Sequence, residues 1–192
     1  MGLDIVAYQG LTKTDAEENI RVAHDQFGYS SDLEKGWYDC DSSFHFRAGS
    51  YSGYNTWRRA LCQAIHGVSD TEFWKKAENF IDQPFYELIN FSDCEGQIGP
   101  KISEKLYQDF TNPENEKKFL DYCKENLETE MLEDFYQANW EDFKKAFEVA
   151  KRLEIEIPNS DWAHVSLVKF HLNNNDGTNA SKSMFKILET NN

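Results

Sequence analysis

The stretch HVSLVKFHL, residues 164–172, alternates apolar and polar side chains and therefore predicts a β-strand near the C-terminal end of the chain. A second strand is predicted at the other end, where LDIVAY, residues 3–8, is apolar and β-branched and is closed by Gly10. The alternating FHFR, residues 44–47, predicts a third strand. Because the intervening sequence is mostly helical in pattern, we expect an α+β fold. It is a helix-dominated single domain with a small sheet formed by N-terminal, central and C-terminal strands.

Helices are predicted through the middle of the chain by apolar residues at helical spacing. Each predicted helix begins at a capping residue or at a proline, and these starts are Asn55, Ser69, Pro84, Pro100 and Pro113. The first helix is expected to end at Gly67, the second to run through Phe80, and the last helical region to reach about Arg152. Residues 12–43 are polar and predict a long surface excursion that contains one or two strands.

Chain length, composition and net charge restrict the class of protein. With 192 residues, of which 40% are apolar and 15% aromatic, the chain is long enough to bury a core. We expect one domain over residues 1–172 and a polar C-terminal tail over residues 173–192. The 34 acidic and 20 basic residues give a net charge of −14, which repels phosphate backbones and argues against general nucleic-acid binding.

The four cysteines, Cys40, Cys62, Cys94 and Cys123, show no spacing typical of a zinc site or a redox pair. Neither a signal peptide nor an apolar run of membrane-spanning length is apparent in the sequence. We therefore expect an intracellular, cytoplasmic protein with reduced thiols, no membrane association and no cofactor.

The first candidate motif is SYSGYNTWR, residues 50–58. The overlapping GSYSG, residues 49–53, is not a nucleophile elbow. That motif places serine midway between its two glycines, and this sequence has Tyr51 there. A strand-to-helix turn with free backbone amides, flanked by Arg47 and Arg58, suits a phosphate or a carboxylate. The alternative is structural: Asn55 caps the helix while the motif's tyrosines pack on the core.

The second candidate motif is PFYELINFSDCEGQIGP, residues 84–100. With a third ligand, Asp93 and Glu95 would suit Mg²⁺ or Ca²⁺, but a spacing of two residues is common by chance and no calcium-loop pattern follows, so we predict no metal site. The glycines permit a polar, ligand-facing loop, and the alternative is a plain helix connection with solvated charges. Cys94 lies between two acids that disfavour its thiolate, so it is a poor nucleophile.

Two further patterns leave alternatives open. His45 and His171 lie in two of the predicted strands and would form an acid–base pair if the sheet brought them together. Residues 125–142 carry seven acids and no base, which indicates either a docking face for a basic, DNA-binding groove or a solvated helix surface.

The two motifs together resemble a family of small, functionally uncharacterised proteins found in phages, prophages and some bacterial genomes. Members begin near GLDI-x-AY, as residues 2–8 do here, and end with a segment like VKFH, residues 168–171. The likeness spans most of the chain up to about residue 172. It implies a phage or mobile-element origin and brings no activity with it.

We expect the two motifs to lie side by side and to form a ligand-binding cleft. Its predicted residues are Arg47, Ser50, Tyr51, Tyr54, Asn55, Arg58, Ser92, Asp93, Glu95 and Gly96. Arginine and aromatic rings suit a nucleotide-like ligand. The first hypothesis is therefore a non-enzymatic accessory protein that binds a host protein or a small nucleotide-like ligand and counters a host defence. The alternatives are a metal-dependent hydrolase of a phosphorylated or nucleotide substrate, and an inhibitor whose acidic face occupies a basic DNA-binding groove.

Overall fold

The structure is a computed structural model, which describes residues 2–24, 26–91, 95–128, 133–151 and 165–173. It is a mixed α+β fold, as the sequence predicts. The described strands are β1 (Gly2–Thr14), β2 (Ile20–Val22), β3 (Gly36–Asp39), β4 (Ser42–Ser50), β5 (Gly96–Ile98) and β6 (Val165–Asn173). The α-helices are α1 (Tyr51–His66), α2 (Asp70–Lys75), α3 (Tyr86–Asn90), α4 (Pro100–Thr111), α5 (Pro113–Asn126) and α6 (Glu141–Ala150).

Strand β1 organises the sheet. Along one edge it pairs antiparallel with β4 and then with β3, and along the other edge it pairs antiparallel with β6. The sheet continues from β3 to β2 and from β6 to β5. The N-terminal and C-terminal strands are therefore neighbours, which confirms the prediction that the sheet joins the two ends of the chain.

The two faces of the sheet have different partners. Alternate residues along β1, among them Leu3, Ile5 and Ala7, are fully buried against the helices. The same face of β4 adds Phe46, which contacts Phe143 of α6 edge-on at 5.0 Å between ring centroids. We call this side the core face and the opposite side the open face. A smaller apolar cluster covers one end of the open face; its members are Leu11, Ile20, Val22, Leu33, Tyr38 and Leu167.

Helix α1 begins earlier than its sequence predicts. The Oγ atom of Ser50 accepts a hydrogen bond from the N–H of Gly53 at 3.0 Å, so Ser50 is the N-cap and the prediction of Asn55 as the cap is wrong. The physical reason is that serine caps as well as asparagine does, and a glycine near a helix start does not prevent helix formation. The predicted end is confirmed: Gly67 is left-handed, with φ 68°, and its N–H donates to the carbonyl of Gln63.

The later helices follow the starts predicted at Ser69, Pro100 and Pro113. The start predicted at Pro84 is wrong: α3 begins at Tyr86, because the preceding residue is left-handed. Ser69 caps α2 as predicted, by accepting from the N–H of Glu72 at 3.2 Å. This helix ends at Lys75, because Lys76 leaves the helical conformation at φ −128°, and a separate 3₁₀ helix follows over Ala77–Phe80. The region from Pro113 contains α5, a π-helical segment (Glu133–Trp140) and α6. None of the described helices combines the length and the apolar character that crossing a membrane requires.

Candidate functional site

The first predicted motif is largely structural. Ser50 caps α1, Tyr51 is 40% exposed, and Tyr54 is fully buried with its ring centroid 6.0 Å from that of Phe143. Asn55 is half-buried, and its Oδ1 accepts a hydrogen bond from Arg58 at 2.7 Å. Tyr54 therefore packs in the core, as the structural alternative predicts, whereas Tyr51 faces solvent.

Arg58 is an internal residue. Only 5% of it is exposed, and its Nη1 donates a hydrogen bond of 2.6 Å to the backbone carbonyl of Phe91. Its guanidinium also lies over the rings of Tyr54, at 5.6 Å, and Trp74, at 5.3 Å. Because these contacts engage both its charge and its faces, Arg58 is suited to linking α1 to the end of α3 and poorly suited to binding a ligand.

The Arg58–Phe91 hydrogen bond shows that the two motifs do meet. Ser92 and Asp93, which were predicted to complete the cleft, lie outside the described residues. Glu95 is exposed, and Gly96 begins β5, where its Cα packs so close to the ring of Phe91 that a Cβ would overlap it. Gly96 is thus needed for packing.

The rest of the second motif also connects elements. Phe85 is left-handed, with φ 59°, and its N–H donates to Oδ2 of Asp109 at 2.8 Å. Glu87, only 7% exposed, pairs with Lys105 at 2.6 Å. Burial raises the pKa of Asp109 despite the hydrogen bond from Phe85 and the charge of Lys105. These contacts hold the turn before α3 against α4, which is a structural role for the described part of the motif.

The start of α4 is capped from a distance. Gly99 has no side chain to cap the helix, and the carboxylate of Asp32 takes that role by accepting from the N–H of Lys101 at 2.9 Å. The N–H of Gly99 donates to the carbonyl of Tyr29 at 2.8 Å. A helix start that would otherwise attract an anion is therefore occupied by the chain itself.

The sheet separates the two histidines that the sequence suggested as an acid–base pair. His45 pairs with Val6 and His171 pairs with Asp4, so β1 lies between the two histidine positions, whose strands are about 10 Å apart. Burial raises the pKa of the Cys62 and Cys123 thiols to about 12. In the part of the chain that the structure describes, no three histidine, cysteine or acidic side chains are placed to hold a metal ion.

The open face of the sheet carries charged residues, of which Asp4 and Lys169 were not singled out from the sequence. Residues that face each other across the strands form one row, His45–Val6–Lys169–Gln97, and Arg47 and Asp4 belong to the next row. Nε of Arg47 lies 3.9 Å from Oδ1 of Asp4. Lys169 was not predicted as a site residue, because its surroundings are formed by strands that are distant in sequence. The alternation of VKFH indicates only which face of the sheet Lys169 lies on.

The outer edge of β4 is the second unusual feature. Its inner edge pairs with β1, and no described strand pairs with its outer edge. None of the backbone hydrogen bonds outside helices and strands in the described ranges involves residues 42–50. This leaves alternate N–H and C=O groups of a nine-residue strand directed away from the protein.

Comparisons with protein-family models, with curated proteins and with solved structures find no match to this chain. The resemblance to small phage and prophage proteins therefore stays a prediction from the two motifs. The free edge of β4 and the charged open face are the two features on which a function can be argued.

Proposed function

We propose that this chain is a non-enzymatic binding protein that captures an extended segment of a host protein by adding it as a strand to the outer edge of β4. One observation carries the proposal: the nine-residue strand Ser42–Ser50 pairs with β1 along one edge and with no described strand along the other. The biological setting rests on the sequence resemblance alone. It is that of an accessory protein of a phage or other mobile element that counters a host defence.

Over residues 42–47 the edge lacks the features by which proteins usually prevent unwanted strand pairing. Such edges are commonly short, bulged, or interrupted by lysine or proline. Strand β4, with the sequence SSFHFRAGS, contains neither residue, and its register with β1 is constant over six consecutive pairs from Arg47 to Ser42. The register shift in this ladder lies at the far end, between Gly2 and Asp4. A regular edge of six residues supports strand addition, in which backbone hydrogen bonds provide the affinity.

The two faces of β4 define the side chains of the incoming strand. On the core face, Phe44 is half-buried and stacks on Phe46 with 5.9 Å between ring centroids, so an apolar neighbour would cover its exposed part. On the open face, His45 and Arg47 are exposed, and Arg47 donates no hydrogen bond to any described residue. Opposite charges on facing strands stabilise by about 0.2–1 kcal/mol per pair. The captured segment is therefore expected to alternate apolar residues with Asp or Glu.

A second copy of this chain fits the edge less well. Antiparallel self-pairing centred on Phe46 would place Arg47 opposite His45 twice, and basic side chains in that arrangement do not stabilise each other. Two chains that each carry a net charge of −14 also repel at long range. These charges favour a different protein as the partner.

A defined peptide tests the proposal before the host protein is known. The probe is a labelled peptide of alternating valine and glutamate with the length of β4, N-methylated on alternate residues so that only one edge can pair. We expect this peptide to bind the protein in fluorescence anisotropy. A peptide of the same sequence that is N-methylated on every residue should not bind. Equal binding of the two peptides would refute strand addition.

Proline substitutions in β4 supply matched variants. Ser42 and Ser43 are exposed neighbours, and because N–H groups alternate in direction along a strand, one of the two N–H groups points away from β1. Of the variants S42P and S43P, one should keep its stability and block the edge, and the other should break the ladder and lose stability. Peptide binding that persists in the stable variant would contradict the proposal. A dimer that this variant abolishes in light scattering would assign the edge to a second copy and overturn capture of a host protein.

A further inference from the structure

We infer that the open face of the sheet holds a second, separate binding site, which takes a small anion or the phosphate or carboxylate group of a small ligand, with Lys169 as its central contact. This inference does not depend on strand addition at β4. It is argued from where the sheet places Lys169, from what surrounds it and from what it does not contact.

The strand register places Lys169 in the middle of the sheet. Its neighbours on either side are Val6 of β1 and Gln97 of β5, and all three residues lie on the open face. Val6 is only 3% exposed and forms an apolar floor. Lys169 itself is half-buried, so its ammonium group is partly removed from water.

The end of strand β2 lies close to Gln97, the neighbour of Lys169 on β5. The side chain of Gln97 accepts from the N–H of Ala23 at 2.8 Å and donates to the carbonyl of Arg21 at 2.7 Å, which holds the end of β2 against the open face. The guanidinium of Arg21 lies 6.0 Å from the centre of the Trp37 ring. The charge of Arg21 lowers the pKa of Lys169, so the two cations are near enough to influence each other.

Lys169 has no direct partner in the part of the chain that the structure describes. Its ammonium makes no hydrogen bond and no ion pair within 4.0 Å there, although the charge of Glu95 reaches it. Burial is the main cause that lowers the pKa of Lys169; the charge of Glu95 opposes it, and the charge of Arg21 lowers the pKa by a smaller amount. A half-buried ammonium that lacks a close carboxylate can accommodate an added anion at low cost, because that anion supplies the missing partner.

The local charge agrees with an anionic ligand. Among the described residues on and beside this face, Arg21, Arg47 and Lys169 are basic and Asp4 and Glu95 are acidic, whereas the whole chain has a net charge of −14. Local positive charge on an otherwise acidic protein favours the binding of a small anion at this place over the rest of the surface. A phosphate monoester and a carboxylate share this chemistry.

Calorimetric titrations of the whole chain test the site with three probes: inorganic phosphate, a nucleoside monophosphate and acetate. We expect binding that weakens about tenfold or more in Lys169→Met, because a hydrogen bond to a charged group is lost. Binding of the two phosphate probes alone would assign a phosphate group, and binding of acetate as well would assign any small carboxylate or phosphate.

The matched control is Lys145→Met. Lys145 is exposed and pairs with Glu148 at 2.7 Å, so its loss should leave binding of all three probes unchanged. Lys169→Met should also bind the strand peptide as the parent chain does, which separates the two sites. The inference is overturned if none of the probes binds at millimolar concentration. It is equally overturned if Lys169→Met binds them as tightly as the parent chain.

Discussion

Arg58 and Phe91 are joined by a hydrogen bond of 2.6 Å from a guanidinium nitrogen to a backbone carbonyl, across 33 positions of sequence. Because Arg58 lies on α1 and Phe91 follows α3, this bond holds together the two motifs that stand out in the sequence. The ring of Phe91 in turn packs on Phe170 of β6 with 4.8 Å between centroids. Through Phe91, a polar contact thus connects helix α1 to the core face of the sheet. Both motifs contribute a residue to this junction.

Arg58→Ala should destabilise the protein by about 2–4 kcal/mol, because it leaves the Phe91 carbonyl without its charged donor and removes a guanidinium packed between two rings. Urea unfolding measures the change. The control is Arg59→Ala on the same helix, whose ion pair with Asp70 is exposed on the arginine side and should contribute less than about 1 kcal/mol. Equal effects of the two substitutions would contradict an internal role for Arg58.

Gly96→Ala should destabilise by about 1–3 kcal/mol, since the added Cβ overlaps the ring of Phe91, which is only 2% exposed and cannot move freely. Thermal unfolding of the variant checks this. Gly53→Ala provides the comparison, because its Cβ would meet only the Ser50 hydroxyl at 3.1 Å and alanine favours the helix. A stable Gly96→Ala variant would mean that the ring adapts and that Gly96 serves another purpose.

Much of the fold can be predicted from the sequence because its signals are local. The apolar, β-branched LDIVAY and the alternating VKFH identify the neighbouring strands β1 and β6, and Pro100 and Pro113 mark two helix starts. The start of α1 is misplaced because SYSG has the composition of a loop, although Ser50 caps a helix there. Strand β5 is missed since three residues are too few to show a period.

The candidate sites are harder to predict, because the burial and contacts of their residues depend on partners that are distant in sequence. Arginine is usually exposed, and the residues next to Arg58 in the sequence do not indicate that it is buried. Lys169 is one lysine in a strand until β1, β5 and β2 are arranged around it. The free edge of β4 is defined by the strand order of the whole sheet.

The thiols should divide into two classes by reactivity. Cys62 and Cys123 are fully buried, with pKa values raised to about 12 by burial, whereas Cys40 is half-exposed and burial raises its pKa less. In a Cys94→Ser background at about pH 8, one thiol per chain should react rapidly with a disulfide reagent, because only the exposed thiolate can attack. Urea should release the other two. Rapid reaction of more than one thiol in the native protein would contradict the burial of Cys62 and Cys123.

Lys169 should make the stability of the protein depend on pH in a predictable direction. Burial lowers its pKa in the native protein below the ordinary value of 10.5, which the lysine regains on unfolding. Between these two pKa values the unfolded chain binds more protons than the native chain, so the free energy of unfolding contributed by Lys169 rises with pH. The cost of the charged lysine is therefore fully present below the native pKa and is relieved as pH rises toward 10.5.

Comparison with Lys169→Met isolates this effect from every other titrating group. The variant should be more stable than the parent near neutral pH, and its advantage should shrink as the pH is raised from about 8 to about 11 in urea unfolding. Lys145→Met, which removes an exposed lysine, should run parallel to the parent chain throughout. If the attraction of Glu95 outweighed burial, the native pKa would be raised and the advantage would change in the opposite direction. Saturating phosphate should reduce the advantage at neutral pH, because the anion stabilises only a chain that keeps the charge of Lys169.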